Sequence, residues 1–127
     1  MIIGIGTDIC EVERIRLVYE KHGERFMKRI LTVHEFREFK TEEQAVRYLA
    51  KRYAAKEAIA KAFGTGIGGA IGFQDCIITR SALGAPGIEF IGRGAALAKK
   101  RGVTHAHVSL TDEKNLVAAF VILERCG

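Results

Sequence analysis

The stretch EEQAVRYLAKRYAAKEAIAKAFG, residues 42–64, carries the strongest helical signal in the chain. Alanine, lysine, glutamate and arginine dominate it, and all four are good helix formers. Thr41 or Glu42 stands where the helix would begin, and Gly64 stands just past its end. We therefore predict one long helix that ends at about Phe63. Its apolar stripe consists of Val46, Leu49, Tyr53, Ile59 and Ala60.

The segments before this helix combine one strand with shorter helices. Residues 1–9 are rich in isoleucine and glycine and are typical of a strand. Two segments with helical spacing follow, at residues 11–21 and 24–30. Thr32 and Glu35 have the spacing of a capping box, which predicts another short helix through about Phe39.

The segments after the helix are mostly strand-like. Strands are predicted at residues 73–80, 87–91, 105–111 and 116–123, with a short helix at 93–101. The last strand, LVAAFVIL, is predicted to be deeply buried. In HAHVSLT, one face would carry His105, His107, Ser109 and Thr111. This order predicts an α+β fold, a largely antiparallel sheet on one long helix and shorter helices, with residues 1–127 as a single domain.

Composition limits the class of protein but does not select a function. The 127 residues are 48% hydrophobic and 28% charged, which is typical of a globular chain, and the net charge is +5. Such an excess favours an acidic partner such as nucleic acid, an anionic surface, an acidic protein or a phosphorylated ligand, or it serves solubility alone. The three cysteines indicate neither a disulfide framework nor a zinc site. Without a signal peptide or an apolar run of membrane length, we expect a cytoplasmic protein with no membrane role.

The glycine-rich segment GTGIGG, residues 64–69, matches the pattern G-x-G-x-x-G but not its context. A dinucleotide-binding loop follows a strand and opens a helix, whereas this segment closes a helix and precedes a strand. No Walker lysine follows it either. Two interpretations stay open: a flexible end of the helix, or a backbone wall that a ligand approaches closely.

Charged residues of the long helix allow a structural and a chemical interpretation. Glu57 and Lys61 share one face, and Arg52 and Lys56 share a neighbouring face. A solvated, salt-bridged surface is the plain interpretation, but the flanking alanines suggest burial, and buried charges need partners. A metal ion would suit Glu57 and a phosphate would suit Lys61. Asp8 could complete a Mg²⁺ site with Glu57 if the first strand lies beside the helix.

Three motifs together carry a resemblance to a known family. GIGTDICEVERI (residues 4–15), KRYAAKEAIAKAFGTGIG (51–68) and HVSLTDE (107–113) resemble the holo-acyl-carrier-protein synthases, which are small bacterial 4′-phosphopantetheinyl transferases. The resemblance implies transfer of the 4′-phosphopantetheine arm of coenzyme A to a serine of apo acyl carrier protein, for fatty acid biosynthesis. It also implies a Mg²⁺-dependent enzyme and a homotrimer with active sites between subunits.

The resemblance further implies roles for individual residues. Asp8 and Glu57 would bind Mg²⁺, and Lys61 would lie near the phosphates, so these three are the expected catalytic residues. Glu57 working with a water is the favoured base. The expected contacts to coenzyme A are Arg52, Lys61, Gly64, Thr65, Gly66, Ile67, Gly68, Pro86, His107 and Ser109.

Two positions depart from the family pattern. Asp112 stands where some relatives carry a second histidine, so a histidine base is not available there. Ala85 replaces a basic residue before Pro86, and Arg80 or Lys99 would have to supply that contact to the nucleotide.

The basic residues after the first strand are the expected docking face for the acidic carrier protein. Arg14, Lys21 and Arg25 are the candidates. Two competing classes stay open, a basic nucleic-acid-binding module without catalysis and a structural trimer without an active site. The sequence leaves open which carrier proteins and acyl-coenzyme A substrates are accepted, and whether Mn²⁺ replaces Mg²⁺.

Overall fold

The computed structural model describes all 127 residues and contains four α-helices and five strands. The helices are α1 (Val12–His22), α2 (Glu24–Ile30), α3 (Glu42–Phe63) and α4 (Gly92–Arg101). The strands are β1 (Ile2–Glu11), β2 (Cys76–Arg80), β3 (Pro86–Phe90), β4 (His105–Asp112) and β5 (Leu116–Glu124). A short 3₁₀ helix, Phe73–Asp75, precedes β2. The predicted α+β fold is confirmed, and no helix has the length and apolar character needed to cross a bilayer.

The strands form two antiparallel sheets. The larger sheet has the order β1-β5-β4, so that β5 is central and β1 and β4 are the edges. Asp8 of β1 lies opposite Ala119, and His107 of β4 lies opposite Ile122. The strands β2 and β3 pair separately. The antiparallel arrangement was predicted, but its division into two sheets was not.

Helix α3 has the predicted bounds because local signals fix both of its ends. The Thr41 hydroxyl accepts a hydrogen bond from the Gln44 N–H at 3.2 Å. Gly64 ends the helix in a left-handed conformation, with φ +78°, and its N–H donates to the Lys61 carbonyl at 2.9 Å. Between these caps, most of the alanine, valine, leucine and isoleucine side chains are buried in the core.

Two glycines let β1 lie directly on α3. A Cβ at Gly4 would overlap the carbonyl oxygen of Ala62, and a Cβ at Gly6 would overlap that of Ala58. From Gly4 onward, the even-numbered residues of β1 therefore face the helix. Since Asp8 continues this face, the strand brings its carboxylate to the helix surface that carries the candidate site.

The predicted helix from Thr32 to Phe39 is wrong. The Glu35 carboxylate does accept hydrogen bonds from the Thr32 N–H, at 2.9 Å, and from its hydroxyl, at 3.1 Å. The same carboxylate also accepts the Ile78 N–H at 2.9 Å, which fixes the segment against β2. A turn followed by irregular chain replaces the helix because tertiary partners outweigh the local capping signal.

Two strand predictions also need correction. The segment predicted as a strand from residue 73 begins as a 3₁₀ turn, because the Asp75 carboxylate accepts the Gly72 N–H at 2.7 Å. Strand β5 is not deeply buried throughout but alternates between the core and the surface. Leu116 and Phe120 are 43% and 41% exposed, respectively. They lie on the outer face of the larger sheet, the side turned away from α3.

Candidate active site

A carboxylate from β1 and two charged residues of α3 form the first cluster of the candidate site. The Lys61 ammonium donates a hydrogen bond to Asp8 Oδ1 at 3.0 Å. Glu57 lies one turn before Lys61, and burial followed by the negative charge of Asp8 raises the pKa of its carboxyl. The structure thus brings together Asp8, Glu57 and Lys61, the three residues expected to be catalytic.

Tyr53 belongs to the same cluster and was missed by sequence reasoning, which assigned it to the apolar stripe. Its interaction with the Glu57 carboxyl lowers the pKa of that group and partly offsets the effect of burial. The Tyr53 ring stacks on Phe73, with 5.6 Å between ring centroids. The signal was present in the sequence, because residues four apart in a helix share a face.

The donor set of this cluster fits a hard divalent cation. Asp8 and Glu57 both offer carboxylate oxygens, which are the ligands that Mg²⁺ prefers. Their mutual repulsion is compensated only in part, since Lys61 is a single charge and its side chain is 52% exposed. A cation held between the two carboxylates would relieve this repulsion.

A cavity of about 610 Å³ opens beside Glu57, between α1, α2 and α3. Its apolar wall includes Ile15, Phe26 and Phe73, and Arg14 and Arg25 lie among its lining residues. Lys21, the third residue expected to dock the carrier protein, is exposed and does not line this cavity. The arrangement gives one concave surface with basic residues that leads to the acidic cluster.

The glycine-rich segment 64–72 begins three residues after Lys61, at the end of α3. Gly64 and Gly66 have φ values of +78° and +69°, a backbone conformation that other residues rarely adopt. Beyond the adjacent residues, no atom lies within 4 Å of a Cβ placed at either glycine, so the backbone is open at these two positions. Ile67 lines the cavity of the acidic cluster. Gly64 therefore ends the helix, as the first interpretation of this segment proposed. The exposed backbone beyond it also suits the second interpretation, a backbone wall that a ligand approaches closely.

Lys56 fits the second of the two interpretations of the helix charges, burial with partners, and not a solvated surface. It is fully buried, and its ammonium donates three hydrogen bonds. The acceptors are Glu35 Oε1 at 2.7 Å, the Ile30 carbonyl at 2.8 Å and the Phe73 carbonyl at 2.8 Å. All three donor positions of the ammonium are used, so Lys56 holds α2, α3 and the 3₁₀ turn together.

Arg52 was expected to contact coenzyme A. It lies beside Glu35, the buried carboxylate that also pairs with Lys56. Its Nε lies 3.4 Å from Glu35 Oε2, a charge contact without hydrogen-bond geometry, and its guanidinium lies 3.7 Å above the Tyr48 ring centroid. Burial lowers the pKa of Arg52. Arg52 lines a second cavity of about 430 Å³ together with Arg80 and does not line the cavity beside Glu57.

His107 and Ser109 lie on a different strand and a different face of the larger sheet from Asp8. Both are exposed on the outer face of β4, and His107 Nε2 lies 2.9 Å from Glu124 Oε1. Asp8 lies on the opposite face and on the opposite edge strand. Within one chain the structure therefore does not bring these two expected contacts to Asp8 and Glu57.

The two positions that depart from the family pattern are structural in this chain. Asp112 forms ion pairs with Arg47 at 2.7 Å and with Lys51 at 3.1 Å, and so joins β4 to α3. Ala85 lies in the turn between β2 and β3, where its N–H donates to the Ser81 hydroxyl at 3.1 Å and its carbonyl accepts the Ser81 N–H at 2.8 Å. The next residue, Pro86, begins β3 opposite Arg80 in the separate two-stranded sheet. None of these residues lines the cavity beside Glu57.

Comparison with known proteins gives consistent matches over nearly the whole chain. A family model described as the 4′-phosphopantetheinyl transferase superfamily matches residues 4–121. The holo-[acyl-carrier-protein] synthase of Photorhabdus laumondii is 49% identical over 124 residues, which cover 98% of this chain and 98% of that protein.

Solved structures of similar proteins have the same fold. A holo-[acyl-carrier-protein] synthase from Neisseria meningitidis superposes with a TM-score of 0.89 at 42% identity, covering 98% of this chain and 100% of that one. A holo-(acyl-carrier-protein) synthase from Bacillus anthracis, solved in complex with CoA (3′,5′-ADP), has a TM-score of 0.77 at 33% identity, with 99% of each chain covered.

Proposed function

This chain belongs to the 4′-phosphopantetheinyl transferase superfamily, and from that membership we infer its reaction. It is a transferase that moves the 4′-phosphopantetheine arm of coenzyme A to a serine of apo acyl carrier protein. The products are holo acyl carrier protein and adenosine 3′,5′-bisphosphate. The alternative of a basic nucleic-acid-binding module is not favoured, because the relatives are named holo-[acyl-carrier-protein] synthase.

The bond changes define what the enzyme has to supply. Adenosine keeps its 5′-phosphate in the product, so the bond that breaks joins the bridging oxygen to the phosphorus on the pantetheine side. The serine oxygen forms the new bond to this phosphorus, and the serine proton must go to a base. The nucleophile comes from the carrier protein, so the enzyme contributes positioning, charge compensation and proton acceptance.

The observation that carries the mechanism is the convergence of Asp8 with Glu57 and Lys61. We propose that the two carboxylates hold Mg²⁺, which when bound would offset the charge that develops on the phosphoryl oxygens. Lys61 would contribute a second positive charge, since its half-exposed ammonium can reach from Asp8 toward a phosphate. Glu57 would accept the serine proton together with a water, in keeping with its position beside the cavity.

The cavity beside Glu57 supports a docking face for the carrier protein. Arg14 on α1 and Arg25 on α2 line it, and an acidic partner that covers them would bring its serine toward Glu57. We propose these two arginines as the principal contacts. Lys21 would contribute only to the long-range field, because it does not line the cavity.

The outer face of the larger sheet supports assembly into the proposed homotrimer. Ile5 and Ile9 of β1 are 61% and 68% exposed, and Phe120 of β5 continues this apolar surface. His107 and Ser109 lie on the same face as these residues and cannot reach Asp8 of their own chain. A neighbouring copy that covers this face would allow them to contact coenzyme A bound at its Asp8 and Glu57.

The remaining expectations follow from the same family membership. We propose that residues 1–127 act as one domain, since 24 buried residues form a single core cluster. Arg52 and the exposed backbone of residues 64–68 would contact coenzyme A, whereas Pro86 is the weakest of the expected contacts. The enzyme would act in the cytoplasm and serve fatty acid biosynthesis.

The direct test of the reaction is the mass of apo acyl carrier protein after incubation with the enzyme and coenzyme A. We expect a gain of one phosphopantetheine arm, and no gain when the acceptor serine of the carrier is replaced by alanine. Glu57→Gln should abolish the gain while circular dichroism shows an unchanged fold. An unmodified carrier with the wild-type enzyme, or full activity of the variant, would contradict the assignment.

A further inference from the structure

Three potential metal ligands that are separated in the sequence meet at one end of the larger sheet. His105 begins β4, Glu124 ends β5 directly opposite it, and Cys126 follows two residues later. One imidazole nitrogen, one carboxylate oxygen and the thiol sulfur all lie within 4.8 Å of one another. We expected no zinc site from the sequence, because its cysteines and histidines do not have the short spacing typical of zinc ligands.

The residues around the cluster fix the positions of its ligands. The Thr104 hydroxyl accepts the Cys126 N–H at 2.8 Å and lies 2.9 Å from His105 Nδ1. In the tautomer with the proton on Nδ1, Nε2 keeps a free lone pair for a metal, and metal-bound histidines commonly have such a partner on the second nitrogen. Thr104 thus contacts both His105 and the backbone of Cys126.

The C-terminal segment is also held in place. The Met1 ammonium donates to the Arg125 carbonyl at 2.8 Å, and the Arg125 N–H donates to the Met1 carbonyl at 2.8 Å. Cys126 is therefore not on a free tail, although its thiol is exposed. The other two thiols are buried, and burial raises the pKa of Cys10 to about 11 and of Cys76 to about 12. Cys126 is the cysteine most accessible to a metal from solution.

The ligand types indicate which metals would bind. Nitrogen, sulfur and carboxylate oxygen are the donors of zinc sites, with bonds of about 2.0 to 2.3 Å, so tetrahedral ligand atoms lie roughly 3.5 Å apart. The potential ligand atoms lie within 4.8 Å of one another, so the side chains would have to move closer together to reach this spacing. His107 contacts Glu124, with 2.9 Å between Nε2 and Oε1, but it does not belong to the cluster, so water would be the fourth ligand.

We propose that His105, Glu124 and Cys126 form a binding site for a zinc-class divalent ion. The site is chemically distinct from the Asp8 and Glu57 pair, which offers oxygen only and suits a hard cation such as Mg²⁺. The proposal does not depend on the transferase reaction. Because Glu124 pairs with His107 in the free protein, an ion bound to Glu124 would also change the surroundings of His107.

The experiment is a titration of the full-length, metal-free protein with Co²⁺ alone, followed by absorption spectroscopy. We expect a thiolate-to-cobalt charge-transfer band that saturates at one ion per chain and is bleached by Zn²⁺. Cys126→Ser should remove this band and His105→Ala should weaken binding strongly. Thr104→Val should weaken it roughly tenfold, as expected when the hydrogen-bond partner of a metal ligand is lost.

Matched controls separate this site from the rest of the chain. His34→Ala removes an exposed histidine outside the cluster and should leave the titration unchanged. Glu57→Gln should leave the cobalt band unchanged as well. An absent charge-transfer band, or a band that persists in Cys126→Ser, would overturn the proposal. Near-ultraviolet spectra of each variant would establish that the fold is retained.

Discussion

Lys56 and Glu57 are neighbours in α3, yet their surroundings differ completely. Lys56 is fully buried, and its ammonium donates to three acceptors. Glu57 lines a cavity, and its pKa is raised by burial and by the charge of Asp8. One helical step of about 100° separates a satisfied charge from an incompletely compensated one. The satisfied charge stabilises the fold, whereas the other can still bind and react.

The largest expected effect tests the structural half of this comparison. Lys56→Met removes the cation that pairs with Glu35 and leaves that carboxylate buried with weaker compensation. We expect a loss of about 3–5 kcal/mol in the free energy of unfolding, measured by urea denaturation at pH 7. Lys40→Met, which removes an exposed lysine, should cost less than about 0.5 kcal/mol. A loss below about 1 kcal/mol in Lys56→Met would show that Lys56 does not hold the fold.

A second prediction concerns the cavity side of the comparison, where Arg14 and Arg25 lie near Glu57 and can contact a partner. Combining Arg14→Glu with Arg25→Glu should slow association with the acidic carrier protein about tenfold at low salt and flatten its salt dependence. Stopped-flow measurement of binding at several ionic strengths checks this. Lys40→Glu combined with Lys100→Glu makes the same charge change away from the cavity and should have a much smaller effect. Equal effects of the two double variants would exclude the proposed docking face.

The smallest expected effect tests whether Tyr53 lowers the pKa of Glu57. Tyr53 lowers the pKa of Glu57, so Tyr53→Phe should raise this pKa further. A base is active when deprotonated, so the acid limb of the pH–rate profile for kcat/KM should shift to higher pH, by less than about one unit. The rate well above the midpoint should change little. Tyr19→Phe serves as the control, and a midpoint in Tyr53→Phe that stays or falls would contradict this role for Tyr53.

The sequence predicted what local interactions determine. The bounds of α3 follow from its composition, from Thr41 at its start and from Gly64 at its end. The alternating faces of β4 follow from the pattern of its side chains. The resemblance to a family supplied the expectation that Asp8 and Glu57 belong together, and the close packing of Gly4 and Gly6 on α3 explains how they meet.

The features that the sequence did not predict depend on contacts between distant segments. The acceptors of Lys56 come from residues 30, 35 and 73, and no local rule brings these to one point. Glu35 accepts the Thr32 N–H, as its spacing predicted, but the same carboxylate also binds Lys56 and the Ile78 N–H from distant segments. The cluster of His105, Glu124 and Cys126 likewise exists only because β4 pairs with β5.

The rate of phosphopantetheine transfer as a function of Mg²⁺ concentration tests the central claim most directly. The claim is that Asp8 and Glu57, from different elements, act as one site. Asp8→Asn should lower the rate at saturating coenzyme A by about a hundredfold and require more Mg²⁺ for half-maximal activity, with the fold intact. An Asp8→Asn enzyme with the wild-type rate and the wild-type Mg²⁺ dependence would contradict the account.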